Sequence, residues 1–461
     1  MAAATPGTST RPLRVAVIGA GPAGFYTVEA LLKRPGLVVE VDLIEKLPAP
    51  YGLLRYGVAP DHPKIKAVSA AWDRLCEDPR VRYLGNVRVG TDDLSVTDLE
   101  LCYDQVVFAT GCESDRRLGI AGEDLPGSLS ATEFVAWYNG HPEFTSLDVD
   151  LDVERAVVIG IGDVAMDLAR ILLRDPGDLA TTDIADYALE ALRHSRIREV
   201  VILARRGPAE SAFAAKELED IGELPGVAVR LDRELVGRDL DATDPHSTHD
   251  RHKLEVLSSL GANPPLAATR HLELRFLHSP VQLCGDERVR SLRIEKNMLV
   301  RDEAGRSAAT GTGVFEEMET GLVLRAVGYR GVPIAELPFD ERAGIVPNLD
   351  GRVHRGYDAP AKLYVAGWIK RGATGVVGTN KADAAATVAR MIEDLPLLPA
   401  SPSGDVARTA VDALLAARGV RVVGWPQWKL IDRRERDLGA TSGRIRRKLT
   451  TIDELLAAAG A

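Results

Sequence analysis

Leu13-Arg14-Val15-Ala16-Val17-Ile18-Gly19-Ala20-Gly21-Pro22-Ala23-Gly24 is the stretch that decides the fold. Leu13 to Ile18 is a short apolar run rich in β-branched residues, the pattern of a buried parallel strand. The turn after it matches a dinucleotide fingerprint: Gly19 allows the tight bend, Gly21 lets backbone approach a pyrophosphate, and Gly24 permits close helix–strand packing. A helix read from Phe25 to Lys33 then offers free N–H groups and a positive end to the pyrophosphate. Val38 to Ile44 reads as a second strand, closed by Glu45, 21 residues after Gly24. A carboxylate there accepts hydrogen bonds from both ribose hydroxyls and repels a 2′-phosphate. This turn is therefore expected to hold FAD or NAD.

The pattern occurs a second time. Ala156 to Ile159 reads as a strand, Gly160-Ile161-Gly162-Asp163-Val164-Ala165 as its turn, and the helix runs to Leu173. Alanine at the third glycine position is allowed. Beyond a polar insertion, Asp175 to Arg196, the strand Glu199 to Leu203 ends in Ala204-Arg205-Arg206-Gly207 instead of an acid. Paired guanidiniums suit a phosphate dianion. At roughly 1.5–3 kcal/mol per charged hydrogen bond, two favour NADP over NAD by ~10²–10⁴. NADPH delivers two electrons as hydride, and a flavin can accept two and release them singly.

At 461 residues the chain has room for two or three domains. Hydrophobic residues at 45% and charged residues at 27% mark a globular protein. No uncharged run is long enough for a membrane span, and a net charge of −10 argues against nucleic acid as a partner. Cys76, Cys102, Cys112 and Cys284 lack CxxC spacing, which disfavours a disulfide framework, a zinc knuckle, an iron–sulfur cluster held by this chain alone, or a redox dithiol. Met1 to Pro12 is read as a frayed end without signal-peptide layout, so the expected location is cytoplasmic. Further expected elements are a helix over Lys64 to Glu77, strands at Val81 to Val89 and Gln105 to Ala109, and a surface loop over Asp239 to Asp250. Alternating strands are expected from Arg270 to Gly321, then strands at Val323 to Gly328 and Leu363 to Ala366. A helix should follow Gly375-Val376-Val377-Gly378 as far as Met391, and the last forty residues read as helical and basic.

Tyr51-Gly52-Leu53-Leu54-Arg55-Tyr56-Gly57-Val58-Ala59-Pro60-Asp61-His62-Pro63-Lys64, Gly122-Glu123-Asp124-Leu125-Pro126-Gly127, Ala204-Arg205-Arg206-Gly207-Pro208 and Gly367-Trp368-Ile369-Lys370-Arg371-Gly372 resemble the adrenodoxin-reductase-like ferredoxin–NADP reductases, from about Arg14 to the C-terminal helices. The resemblance implies an α/β fold of two three-layer Rossmann-like dinucleotide-binding domains, the NADP domain inserted in the FAD domain. FAD would take residues 1–113 and 333–461, with C-terminal helices, and NADP residues 114–332. By the same resemblance Gly19, Gly21, Ala23, Gly24, Glu45, Leu53, Val89, Trp368, Gly375, Val376 and Val377 face FAD. Arg116, Ile161, Gly162, Asp163, Val164, Arg205, Arg206 and Glu217 face NADP.

His62 would lie near the flavin, coupled to Asp167, tuning it or taking part in proton uptake. Many relatives carry a polar residue in place of Ile161 and asparagine in place of Asp163. The aspartate is expected to cap its helix and point away from the pyrophosphate.

The implied activity is hydride transfer from NADPH to FAD, then single-electron transfer to an external iron–sulfur ferredoxin, reversible in principle; the sequence carries no signal of oligomeric state, and a monomer is the expectation. Ferredoxins are typically acidic, so docking calls for a basic patch. Its candidates are Lys64, Lys66, Arg251, Lys253, Arg270 and the cluster Arg433, Arg434, Arg436, Arg444, Arg446, Arg447 and Lys448. Three other readings are an electron-input subunit of the glutamate-synthase type, which usually carries cysteine clusters absent here, a flavin monooxygenase or NADPH oxidase, and a nucleotide-binding sensor or scaffold.

Overall fold

The computed structural model describes residues 6–244, 247–262, 267–301, 307–354, 362–398 and 406–460. The chain divides into two compact units. One comprises Met1–Ser114, Asn139–Glu143 and Gly328–Ala461, the other Asp115–Tyr138 and Phe144–Val327.

The first unit is built on a seven-stranded sheet in the order Asn348–Leu349, Arg352–Val353, Leu363–Val365, Gln105–Phe108, Leu13–Ile18, Val39–Glu45, Val81–Gly85. The last five of these run parallel. Alternation along Leu13–Ile18 sorts its side chains onto two faces. Leu13, Val15 and Val17 pack with Phe25, Val28 and Leu31 of helix Pro22–Leu32 and with Trp428 and Ile431 of helix Trp425–Ala440. Ala16 and Ile18 pack on the other side with Leu99, Val411 and Leu415. Helices thus cover both faces, which gives three layers. The chain passes from Leu13–Ile18 to Val39–Glu45 on one side, while Gln105–Phe108 lies on the other. Strand order reverses at that point, which is where open sheets of this kind take a ligand, beyond the strand ends.

The second unit repeats the plan with six parallel strands, ordered Ser128–Ser130, Leu322–Arg325, Arg155–Ile159, Glu199–Leu203, Arg270–Arg275, Val227–Leu231. Here the order reverses between Arg155–Ile159 and Leu322–Arg325. One face is packed by helices. On the other, a three-stranded antiparallel sheet (His278–Cys284, Ser291–Arg301, Ser307–Glu319) buries Leu283, Leu292, Ile294 and Met318 against Val157, Ile159, Val201, Leu203 and Val323.

Several local expectations need correction. The helix expected over Lys64 to Glu77 is two pieces, Pro63–Lys66 and Ser69–Cys76, and the strand from Val81 stops at Gly85. The segment read as a surface loop, Asp239 to Asp250, lies mostly in helices Arg233–Ala242 and Thr248–Ala262, with residues 245 and 246 outside the described residues. Asp232 caps the first by accepting from Leu235 N at 3.0 Å, and a narrow stripe of Leu235, Val236, Leu254 and Leu257 holds both to the core. The polar insertion contains helices Pro176–Leu179 and Asp186–Arg193, which bury Leu179, Leu189 and Leu192. Among the described residues the basic C-terminal end is helical over Trp425–Ala440 and Ile452–Ala459, the latter started by a Thr451–Glu454 capping box. No described helix is long and apolar enough to cross a membrane.

An ion network ties the C-terminal helices to residues 51–56. Arg55, 5% exposed, makes two hydrogen bonds to the fully buried Glu435, at 3.0 and 2.5 Å. Arg446 adds a third at 2.9 Å, and Leu449 N a fourth at 2.9 Å. Lys448, also buried, donates to the carbonyl oxygens of Arg55 at 3.1 Å and Asn139 at 3.0 Å. Tyr51 hydrogen-bonds Asp73, which Lys429 also reaches at 2.9 Å, and its ring meets Trp428 edge-on at 5.7 Å between centroids.

Candidate cofactor-binding sites

In the first unit the turn Gly19–Gly24 sits at the strand reversal. Gly19 has φ +102, and a Cβ there would stand 2.7 Å from the carbonyl oxygen of Ala109, at the end of the strand across the reversal. A Cβ on Gly24 would run into the carbonyl oxygen of Gly19. Both glycines are thus demanded by backbone crowding. Glu45, at the end of the next strand, is buried and turned toward the turn: its two oxygens accept from Ala20 N at 2.8 Å and Leu47 N at 3.2 Å. Burial pushes its carboxyl up, and those two N–H groups work against the rise. A carboxylate has about four lone-pair sites, so each oxygen keeps room for another donor.

Gly21 faces Gly52, where a Cβ would stand 3.0 Å from the Gly21 Cα. Tyr51, just before, is held at φ +85, a strained conformation for a tyrosine. Leu53 starts the short helix Leu53–Tyr56 and is half-buried. Val89 is also half-buried and packs in the second core layer. Gly367, at φ +77, abuts the Cβ of Ala23 and donates its N–H to Asp383 at 2.6 Å. Trp368 donates its indole N–H to Thr374 O at 3.0 Å and lies 5.3 Å from the ring of Tyr329. Gly375 has φ +77, Val376 is 68% exposed, and Asn380 holds the carbonyls of Val376 and Val377 from the helix Thr379–Glu393. His62 precedes helix Pro63–Lys66 and is half-buried.

The second unit builds its turn the same way. Gly160 has φ +138, and a Cβ there would collide with the carbonyl oxygen of Ala326, again across the reversal. Gly162 precedes helix Asp163–Leu173 with open space where a Cβ would go. Asp163 does not cap that helix, contrary to expectation. Its Oδ1 accepts from Ala214 N at 2.8 Å, while the Ile161 carbonyl accepts from Ala212 N at 2.9 Å. The segment before helix Ala215–Gly222 is therefore pinned along the turn, and the aspartate is occupied by that task. Val164, the second residue of the helix, is half-buried beside the main core.

Arg205 is exposed and Arg206 half-buried at the end of Glu199–Leu203, and Arg116 is exposed. Among the described residues none of the three has an ion-pair partner. The stretch after the arginines is fixed from behind: Asp239 accepts from Ala209 N at 2.9 Å, and buried Lys253 donates to Ser211 O at 2.7 Å. Glu217 and Asp167 both bind the buried Arg170, Glu217 at 2.6 Å. Asp167 and His62 belong to different units.

Two charges proposed for docking are not available. Lys253 and Lys448 are 3% and 6% exposed and spend their protons on backbone carbonyls. Arg446 and Arg436 pair with Asp432, Arg251 with Glu255, Lys66 donates to Asn139, and Arg270 to Leu173 O. Lys64, Arg433 and Arg434 are exposed. The sequence reading missed Tyr51, Asn380, Arg170 and Glu435 as builders of these sites.

Known proteins resemble this chain over nearly its full length. Residues 13–258 match the pyridine nucleotide-disulphide oxidoreductase family model. NADPH-ferredoxin reductase FprA of Mycobacterium tuberculosis is 45% identical, covering 97% of this chain and 99% of its own. The mitochondrial NADPH:adrenodoxin oxidoreductase of Arabidopsis thaliana is 41% identical, covering 98% and 96%. A solved structure of Mycobacterium tuberculosis FprA in complex with NADPH superposes with a TM-score of 0.92 at 44% identity, covering 98% of this chain and all of that one.

Proposed function

The chain belongs to the pyridine nucleotide-disulphide oxidoreductases, among the NADPH–ferredoxin reductases, and from that premise we propose how its residues serve that reaction. It is an FAD-dependent oxidoreductase that moves electrons between NADPH and a ferredoxin. The observation that carries the assignment of sites is an opposition of charge at equivalent places. One glycine turn meets the carboxylate of Glu45 at its second strand end, and the other lies beside the strand that ends in Arg205 and Arg206, whose guanidiniums have no ion-pair partner among the described residues.

The first unit fits FAD. Gly19, Gly21, Ala23 and Gly24 cradle the pyrophosphate, Glu45 takes the ribose hydroxyls, and Leu53, Val89, Trp368, Gly375, Val376 and Val377 line the ring. Val376 is exposed on the turn that follows left-handed Gly375, and Asn380 holds the carbonyls behind it. The second unit fits NADP(H). Ile161, Gly162, Asp163 and Val164 lie under the pyrophosphate, Arg205 and Arg206 take the 2′-phosphate, and Arg116 and Glu217 make further contacts.

NADPH held by the second unit would supply hydride chemistry, and FAD held by the first would supply the change from two-electron to one-electron transfer. The protein's own share is placement, which brings reacting atoms to about 3–3.5 Å. His62 serves proton uptake, as an imidazole can near neutral pH, and Asp167 is held in place by Arg170. No side-chain nucleophile takes part. The ferredoxin is of the iron–sulfur type, the protein acts as a cytoplasmic monomer, and docking uses Lys64, Arg433 and Arg434.

The test compares NADPH-driven reduction of an acidic iron–sulfur ferredoxin with reduction of a small neutral quinone. Raising salt from low to several hundred millimolar should slow the ferredoxin reaction at least about tenfold and the quinone reaction little, because screening acts on charged encounter. Charge reversal at Arg433 and Arg434 should do the same at low salt. Equal salt response of both acceptors contradicts electrostatic docking, and no ferredoxin reduction at all contradicts the function.

A further inference from the structure

The turn that carries Arg205 and Arg206 hangs from the antiparallel sheet by three consecutive carbonyls. The Ala204 carbonyl accepts from His278 N at 3.0 Å and the Arg206 carbonyl from Leu277 N at 3.1 Å. Between them, the Arg205 carbonyl accepts from Asn297 Nδ2 at 2.9 Å. The outer two are backbone bonds that nearly any side chain would leave in place. The middle one exists only because residue 297 is an asparagine.

The second amide proton of Asn297 goes to Ser279 Oγ at 2.8 Å. A carbonyl can only accept, so the amide nitrogen must face Arg205. Asn297 is 4% exposed, where an amide is retained for the bonds it makes. Its backbone aims it: Asn297 N donates to Leu277 O at 2.7 Å, and strand pairing slips there from Glu295–Phe315 to Asn297–Gly311. Gly313, at φ +77 in the looped-out stretch, donates its N–H to Glu295 at 2.8 Å. Irregularities of this kind re-aim a side chain.

We infer that Asn297 is a positioning residue for the choice of NADPH over NADH. By holding the Arg205 carbonyl it fixes the backbone from which both guanidiniums reach a 2′-phosphate. The inference rests on the assignment of Arg205 and Arg206 to that phosphate. Guanidinium–phosphate recognition tolerates misplacement of only about half an ångström, so a turn free to swing about its middle peptide loses selectivity. NADH lacks the phosphate and is the internal reference.

The experiment uses the full-length, FAD-loaded enzyme. It measures kcat/KM for NADPH and NADH with a small acceptor, and calorimetric binding of adenosine 2′,5′-bisphosphate and of 5′-AMP. Asn297→Ala should lower the NADPH/NADH ratio about tenfold, the effect of one charged hydrogen bond, with a matching loss for the bisphosphate beyond any loss for AMP. Asn297→Asp should lower it further, since a carboxylate repels the Arg205 carbonyl. Arg206→Ala runs alongside: an unchanged ratio in that variant means the phosphate assignment is wrong, whatever Asn297 does. If Arg206→Ala lowers the ratio while Asn297→Ala affects both coenzymes equally, or neither, the role of Asn297 is overturned. Should Asn297→Ala fail to fold, Ser279→Ala decides. It frees the amide from its anchor and should lower the ratio about threefold, and no change overturns the inference.

Discussion

Replacing Arg205 and Arg206 together by alanine is expected to lower kcat/KM for NADPH by ~10²–10⁴ and to leave NADH turnover much closer to its starting value. Two features make the effect large. Neither guanidinium is committed to a carboxylate among the described residues, so both are available to an incoming phosphate at no cost in broken ion pairs. The surrounding backbone is also already ordered. Carbonyls 204–206 are held by the antiparallel sheet, and residues 209–214 by Asp239, Lys253, Ile161 and Asp163. Binding therefore loses little to ordering the loop, and the phosphate contacts appear as selectivity. Single replacements should each produce part of the loss. Steady-state kinetics with both coenzymes checks the result, and an unchanged ratio in the double variant would remove the phosphate from this strand end.

Glu435→Ala is expected to destabilise the first unit by about 3–5 kcal/mol, the usual cost of stranding a buried charge. The charge is Arg55, whose guanidinium lies over the rings of Tyr56 and Trp428 and donates two hydrogen bonds to Glu435. Arg446 and the Leu449 amide lose the same acceptor. Because Arg55 lies between Leu53 and His62, the variant should also lose flavin more readily on dilution.

A pH dependence follows from the same group. Burial alone would raise the Glu435 carboxyl, but Arg55 and Arg446 outweigh it and hold the carboxyl below its ordinary value. A carboxylate depressed in the folded state contributes stability that is complete above the unfolded value, near ~4.3, and is lost as pH falls through the lower folded value. The stability gap between wild type and Glu435→Gln should therefore be constant near neutrality and narrow below about pH 4. Denaturant melts at several pH values measure it. A gap that widens in acid would show that the pairing does not favour the charged form.

What was legible in the sequence is what is local. Strand, glycine turn, helix and strand-end charge lie within Leu13 to Glu45 in the first unit and within Ala156 to Arg206, around the polar insertion, in the second, and backbone crowding at Gly19, Gly24 and Gly160 leaves few residue choices. The α/β class and the resemblance followed from those segments and from residues 51–64. What was not legible depends on distance. Arg55 and Glu435 are 380 positions apart, and nothing near either one announces the other. Lys253 and Lys448 look like surface charge in sequence because burial of a lysine depends on carbonyls supplied from elsewhere. Helices Arg233–Ala242 and Thr248–Ala262 were hidden by a buried stripe only one or two residues wide per turn among charged neighbours. Asp163 was read as a cap because its position permits one, and the competing donor, Ala214 N, lies 51 residues on.

An anaerobic titration of the purified, FAD-loaded protein, followed through its visible spectrum, tests the two-cradle account most directly. About one equivalent of NADPH should bleach the flavin absorbance, because one hydride carries two electrons, and NADH at the same concentration should do so far more slowly. A protein that folds yet takes up no flavin, or a flavin that NADPH leaves yellow, would contradict it.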